Sequence, residues 1–290
     1  MNIEQVILTG LTNGSIYALI AVGFVIIYNV TGIINFAQGE FTMLGAMIVI
    51  SFVDFGFNMI TAAILTIIIV MGISTLMYGL AIYPLKNTKN SLTTIMVTMG
   101  LGIVITGISL LIWGTEARPL APFTGNRPIT FLNASISHQD LWIIGSCAVL
   151  VLFIYLMFEK TYFGMAFRAC MSNKEASRLM GISTEVMAML AFALSAGIGA
   201  LAGIVMAPVT FAEYDMGMML SLKGFVAAVL GGLTGAPAAI IGGFVLGILE
   251  SVGTGFISSG YNDFIAFAAL IIIMLIRPSG ILGHKSIKKV

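Results

Sequence analysis

Charge is what this sequence has least of. Only 9% of its 290 residues are Asp, Glu, Lys or Arg, against about 25% in an ordinary soluble domain. A chain folded for water is excluded, because it would have too little ionic surface to cover a core of this size. A nucleic-acid surface is excluded as well. The net charge is +1, and the Lys and Arg residues lie in separate polar stretches rather than in one patch. Cysteine is scarce: Cys147 lies in an apolar run and Cys170 in a polar one, so no disulfide framework is expected. The two histidines, His138 and His284, fall in different loops, and no Cys/His spacing of a metal site exists. Motifs for chemistry are missing too. There is no G-x-x-x-x-G-K-[ST] loop to cradle a nucleotide, no G-x-S-x-G and no H-E-x-x-H. No catalytic residue, metal site or resident cofactor is therefore assigned. The opening MNIEQ lacks the basic start of a secretory signal, and no small-residue cleavage site follows, so the first apolar segment is expected to be retained.

What is abundant is apolar residue in long runs. Hydrophobic residues make up 59% of the chain and the mean hydropathy is +1.08. The expected fold is all-α: one polytopic transmembrane permease domain over 1–290, immersed in a lipid bilayer. A span needs about 20 apolar residues to cross about 30 Å of hydrocarbon. Val6 to Tyr28, Ile60 to Tyr83, Leu92 to Trp113, Leu141 to Phe158, Val186 to Ala207, Pro237 to Ile257 and Phe264 to Ile276 read as crossings. Two further stretches read as discontinuous or re-entrant. One runs from Thr31 through Val53, interrupted by Asn35, Gln38 and Glu40; the other is the short, Gly-rich Met218 to Thr234. The total is eight or nine. Trp113 and Trp142 bracket a proline-containing loop as an interfacial belt.

Orientation follows from the basic residues. With the loop at 84–90, the insertion near 159–185 and the tail inside, Lys86, Lys89, Lys160, Arg168, Lys174, Arg178, Arg277, Lys285, Lys288 and Lys289 all face the cytoplasm. Arg118 and Arg127 lie outside, and Lys223 is ambiguous. The positive-inside rule then sets the N-terminus outside and the C-terminus in the cytoplasm. The insertion Gly164 to Ile182 is the one long polar stretch between spans, with Phe167, Cys170, Met171, Leu179 and Met180 alternating with Arg168, Lys174, Glu175 and Arg178. A short amphipathic cytoplasmic helix is expected. By pattern alone it either rests on the membrane or serves as a handle for a soluble partner.

Polar groups within the apolar runs mark the remaining candidates. Asn35, Gln38, Glu40 and Glu250 are candidates for a translocation pathway, since a buried carboxylate is costly unless paired or solvated. Structural readings stand beside that one. Glu40 fits the start of a helix, and Glu250 fits a satisfied carboxylate. Lys223 is expected to snorkel to the interface rather than pair with Glu213 or Asp215. Glu213, Tyr214 and Asp215 form an acidic group at the outer mouth. Asn133-Ala134-Ser135 matches a glycosylation sequon by pattern only. The pairs Gly10/Gly14, Gly199/Gly203, Gly231/Gly235 and Gly243/Gly247 have the spacing of close helix contacts. A small-residue span followed by a polar break occurs at 14–46 and again at 197–235, a hint of two related halves.

Several runs together resemble a known family. Thr161-Tyr-Phe-Gly-Met-Ala-Phe-Arg-Ala169 with Asn173, Ala176 and Met180-Gly-Ile182 resembles the cytoplasmic loop of branched-chain amino-acid ABC transporter permeases, LivH type. NFAQGEFTMLGA at 35–46 is similar to the N-terminal signature of that family. Gly14-Ser-Ile-Tyr-Ala-Leu19, Tyr83-Pro-Leu85, Val229-Leu-Gly-Gly-Leu-Thr-Gly-Ala-Pro237, Gly242-Gly243, Glu250 and Arg277-Pro-Ser-Gly-Ile-Leu-Gly283 extend the likeness over nearly the whole chain. The loop reads Tyr-Pro-Leu-Lys86 where many relatives have Tyr-Arg-Pro-Leu. The resemblance implies an importer subunit in a bacterial inner membrane, with ATP and Mg held in two partner ATP-binding subunits. It also implies a second permease subunit, LivM-like or a copy of this chain, and an external solute-binding protein. Gly164 to Ile182 would be the coupling helix, with Gly164, Phe167, Arg168, Ala169, Met171, Asn173, Lys174, Ala176, Arg178 and Gly181 as its coupling residues. The solute implied is leucine, isoleucine or valine. An ABC permease for a sugar, amide or urea, and an ion-coupled secondary transporter, are the alternatives.

Overall fold

The computed structural model describes residues 3–87, 90–125, 128–131, 134–256 and 258–283. Lys89, Arg127, Asn133, His284, Lys285, Lys288 and Lys289 lie outside the described residues. Eleven α-helices follow one another: α1 (Ile3–Thr31), α2 (Gln38–Asp54), α3 (Met59–Met77), α4 (Ser91–Trp113), α5 (His138–Lys160), α6 (Tyr162–Ser172), α7 (Lys174–Leu179), α8 (Thr184–Thr210), α9 (Met216–Gly231), α10 (Ala236–Phe256) and α11 (Asn262–Ile276). A π-turn at Tyr78–Ile82 and a 3-10 turn at Tyr83–Asn87 prolong α3. Six segments are long and apolar enough to cross a membrane, and α2, α9 and α11 are shorter. The crossings expected from sequence thus resolve into six long spans and three short helices among the described residues. One element departs from the all-α expectation: β1 (Ile129–Phe131) pairs antiparallel with β2 (Ala134–Ile136) in the proline-containing loop. Gln5 ties this hairpin to the start of α1 through the Ser135 N–H at 2.8 Å and the Ser135 carbonyl at 3.1 Å.

Burial sorts the helices into a core and a rim. The apolar stretch of α1 is 89% buried, whereas those of α4 and α5 are only 17% buried. Helices that are apolar all round yet exposed are matched to lipid, not water. Exposed Ile68, Ile103, Leu111, Val149 and Leu152 form that lipid-facing rim.

Close approach at the centre depends on glycine, because van der Waals packing holds helices together where no water drives them. Gly10 and Gly14 of α1 lie against Gly247 and Phe244 of α10, and a Cβ on Gly247 would overlap the backbone of Gly14. Gly203 of α8 sits on Thr42 of α2 with no room for a side chain. Gly231 packs on Ala238 in the same way. Gly235 does not follow: only Pro237 lies within contact range, so the expected Gly231/Gly235 pair is not a packing pair.

The two helix–break–helix units at 14–46 and 197–235 carry the architecture. The triplets α1–α2–α3 and α8–α9–α10 exchange partners, with α1 packed on α9 and α10 and α8 packed on α2 and α3. Side chains fix the directions: Gly199 and Gly203 meet Phe41 and Thr42, so α8 and α2 run parallel; Ile20 and Phe24 meet Gly224 and Phe225, so α1 and α9 do as well. Gly39 and Glu40 meet Ser221 and Gly217 in the opposite order, so α2 and α9 are antiparallel. That is the pattern of inverted repeats.

Both second helices start inside the bundle. Gln38 reaches Ser195, which is eleven residues beyond Thr184 at the start of α8. At 1.5 Å per residue that is about 16 Å from the end of the helix. The re-entrant elements expected from sequence are therefore α2 and α9, and their first turns lie side by side.

Candidate functional site

The polar insertion is two helices with a corner, not the one helix expected. Thr161 begins α6 by accepting the Gly164 N–H at 3.1 Å, while its hydroxyl donates to the Met157 carbonyl at 2.6 Å. Gly164 is buried directly against the backbone of Met157 and Phe158, which leaves no space for a Cβ. Phe167 and Cys170 continue that inward face at helical spacing, with the Phe167 ring 5.6 Å from Phe158. Asn173 then breaks the helix at φ −155° and caps α7, its side chain accepting the Glu175 and Ala176 N–H groups at 3.0 Å each. Gly181 turns the chain toward α8 at φ +84°, a value that favours glycine.

This geometry corrects which side chains are free. Phe167 was expected as an anchor for a partner, but it is spent on the chain's own core at 3% exposure, and Met171 packs partly against that core. Arg168 is held by Glu159 at 2.8 Å, and the Arg178 Nε donates to Thr184 at 2.8 Å. Lys174 and Ala176 are exposed, and Ala169 is half-buried. The bare apolar surface lies at the corner after α7, where Leu179 is 89% and Met180 83% exposed. Leu179 was not among the coupling residues read from sequence. Its position at the end of a six-residue helix shows only once the Asn173 break is known.

A polar seam fills the re-entrant break. Asn35 and Gln38 are fully buried and Glu40 is 2% exposed. The Ser195 hydroxyl lies 2.6 Å from Gln38 Oε1 and 2.8 Å from the Gly23 carbonyl, tying α1, α2 and α8 together. Ser221 accepts the Gly39 N–H at 2.7 Å and donates to the Phe36 carbonyl at 2.7 Å, which ties in α9. Asn35 Oδ1 accepts the Ala37 N–H at 3.2 Å, while its amide nitrogen has no partner. Glu40 accepts the Thr106 hydroxyl at 3.2 Å, and its carboxylate rests on Gly217 in the first turn of α9. A carboxylate is stabilised there by the dipoles of two helix starts. Ala37 is the first flanking residue of α2 and gives no side-chain cap, so Glu40 stands in the first turn without capping it.

Glu250 and Lys223, the single charged residues of α10 and α9, meet. Lys223 Nζ lies 3.1 Å from Glu250 and 3.0 Å from Asp263, and the Tyr17 hydroxyl donates to Glu250 at 2.5 Å. The expectation that Lys223 snorkels is therefore wrong. A buried carboxylate unpaired in lipid is too costly, and the ammonium pairs with it. One lone cation and one lone anion on neighbouring apolar helices were the signal available for this pair. Tyr17 and Asp263 gave none. Glu213, Tyr214 and Asp215 fall in the α8–α9 connection, where Glu213 and Asp215 are exposed. That connection is strapped by the Arg118–Ala212 backbone bridge at 2.9 Å in both directions, and Arg118 also pairs with Asp54 at 2.5 Å.

Comparison with known proteins agrees with this arrangement. Residues 6–274 match the family model described as branched-chain amino acid transport system / permease component. The chain is 32% identical to the high-affinity branched-chain amino acid transport system permease protein LivH of Escherichia coli, covering 99% of this chain and 97% of that one. It is 30% identical to the corresponding permease protein BraD of Pseudomonas aeruginosa, with the same coverage. Among solved structures, PsaBC from Streptococcus pneumoniae in complex with Fab shares the fold, with a TM-score of 0.51 at 14% identity over 93% of this chain and 91% of that one. A bundle of apolar spans with re-entrant inverted halves and no nucleotide-binding motif of its own thus meets a family match over nearly its whole length: the chain belongs to the branched-chain amino acid transport system permease family.

Proposed function

We propose that this chain is the membrane permease subunit of an ATP-driven ABC importer for branched-chain amino acids. The observation that carries this reading is the corner at α6–α7. Two large apolar side chains stand in the open at the end of a short capped helix, on a chain that has no nucleotide motif to drive it. Exposed anchors of this kind are built to fill pockets on another protein. Two ATP-binding subunits with bound ATP and Mg would supply the work, each gripping one such corner. A second permease subunit, LivM-like or another copy, completes the pore, and an external solute-binding protein delivers to Glu213, Tyr214 and Asp215. Glu40 lies on the face that parts if the α2 and α9 starts separate, and with Asn35, Gln38 and Glu250 it makes up the path we assign to solute in the open state.

The rival reading is an ion-coupled secondary transporter, favoured by one observation: Glu40 is buried beside a hydroxyl and a glycine, with no cation in contact with it among the described residues. Sugar, amide or urea permeases of the same general type are the other solutes to compare.

Topology is tested directly. We propose that the N-terminus faces outward and the corner faces the cytoplasm of a bacterial inner membrane. Leu179→Cys should react with a membrane-impermeant maleimide only in inverted vesicles, and Phe55→Cys, 81% exposed at the far end of α2, only in intact cells. The opposite labelling pattern would overturn the assignment.

A further inference from the structure

Resting on the importer reading, we propose that the cavity walled by Tyr17, Met206, Thr210, Glu213, Met216 and Lys223 binds one amino-acid zwitterion with a short apolar side chain. The cavity runs inward from the end of α8, which is opposite the coupling corner, along the first two turns of α9, and it holds about 230 Å³. That is below the roughly 300–1,000 Å³ typical of drug-sized ligands, so its occupant is a small solute.

Its chemistry is of three kinds, and they are separated in space. At the floor stands Lys223, whose side chain is 12% exposed, with its ammonium 5.8 Å from the centre of the Tyr17 ring. Glu250 and Asp263 are its ion-pair partners at 3.1 Å and 3.0 Å, and an ammonium carries three donors. Lys223 lines the cavity, so its ammonium is available to an anion there. Glu250 neutralises the lysine inside the bundle, while Asp263 is 51% exposed. At the rim stands Glu213, exposed at the opening. The remaining wall is Met206, Met216, Met219, Leu220 and Phe211, soft and apolar. Thioether side chains adapt to branched shapes.

A carboxylate on Lys223, an ammonium on Glu213 and an alkyl group on the methionines use all three. A neutral polyol leaves both charges unmatched, and an ion of one sign meets one charge and opposes the other. An intramembrane lysine so placed is a specificity element as well as a structural one.

The test is saturation-transfer NMR of leucine on the permease complex, with its ATP-binding subunits, in nanodiscs without the solute-binding protein. The leucine signal should be displaced by valine and isoleucine but not by 3-methylbutylamine or 4-methylpentanoate, each lacking one charge. Met219→Trp fills the cavity without touching the ion cluster, and Glu213→Gln removes the rim charge. Each should weaken leucine binding by about tenfold or more while the variant still co-purifies with the ATP-binding subunits. Unchanged binding in both variants, or equal competition by the amine or the acid, would overturn the site and leave the importer reading standing. A wild-type complex that hydrolyses no ATP in response to loaded binding protein would overturn that reading instead.

Discussion

Replacing Leu179 and Met180 together by Asp is expected to abolish ATP-driven uptake while leaving the bundle folded. Both side chains are almost fully exposed, so the change removes no internal contact. What it removes is apolar area available to a partner. Docking anchors of this type are worth about 2 kcal/mol each, so losing both weakens docking by roughly a thousandfold. The measurement is co-purification of the ATP-binding subunits together with leucine uptake. Arg168→Ala should do far less, because that guanidinium is a half-exposed partner of Glu159 and not a free contact. Equal losses from the two variants would move the coupling surface from the α7 corner to α6.

Gly247→Leu is expected to prevent assembly of the core altogether. A side chain there has nowhere to go, since the backbone of Gly14 and the carbonyl of Gly10 occupy its place. Overpacking of a close-packed site costs about 1–3 kcal/mol when neighbours are side chains that can shift, and more when they are backbone. α1 is the helix that α8, α9 and α10 all pack on, so forcing it from α10 also pulls apart the Gln38–Ser195 junction. The readout is yield and monodispersity after detergent extraction. Gly72→Leu on the lipid face of α3, where nothing lies within 4 Å of the added Cβ, is the matched control and should be tolerated. Failure of both glycine variants alike would mean that lost backbone freedom in a span, not close approach at this contact, is what the protein does not accept.

The long spans were legible in the sequence because length and hydropathy decide them, as in Leu92 to Trp113 against the observed Ser91–Trp113. The two re-entrant helices were legible too, since Asn35, Gln38 and Glu40 interrupt an apolar run that nothing else explains. Their directions were not. Only contacts such as Gly39 on Ser221 show that α2 and α9 run antiparallel from a shared level. The β-hairpin was missed because three-residue strands carry too little alternation to register. The polar insertion was legible as an amphipathic segment, but the burial of its apolar residues was not. A helical pattern shows which residues share a face, not which face the rest of the chain covers, and here Phe167 turned inward onto Phe158. Lys223 was misread for a related reason: its partners Glu250 and Asp263 lie far along the chain, and no local spacing announces them.

The decisive measurement is uptake of radiolabelled leucine into sealed proteoliposomes, first with this chain alone and then with its ATP-binding subunits, second permease and loaded binding protein. Accumulation against a gradient should appear only in the complete set, only with ATP on the side that the α6–α7 corner faces, and should survive collapse of proton and sodium gradients. Uphill uptake by the lone chain in an imposed proton or sodium gradient, abolished by Glu40→Gln, would contradict it.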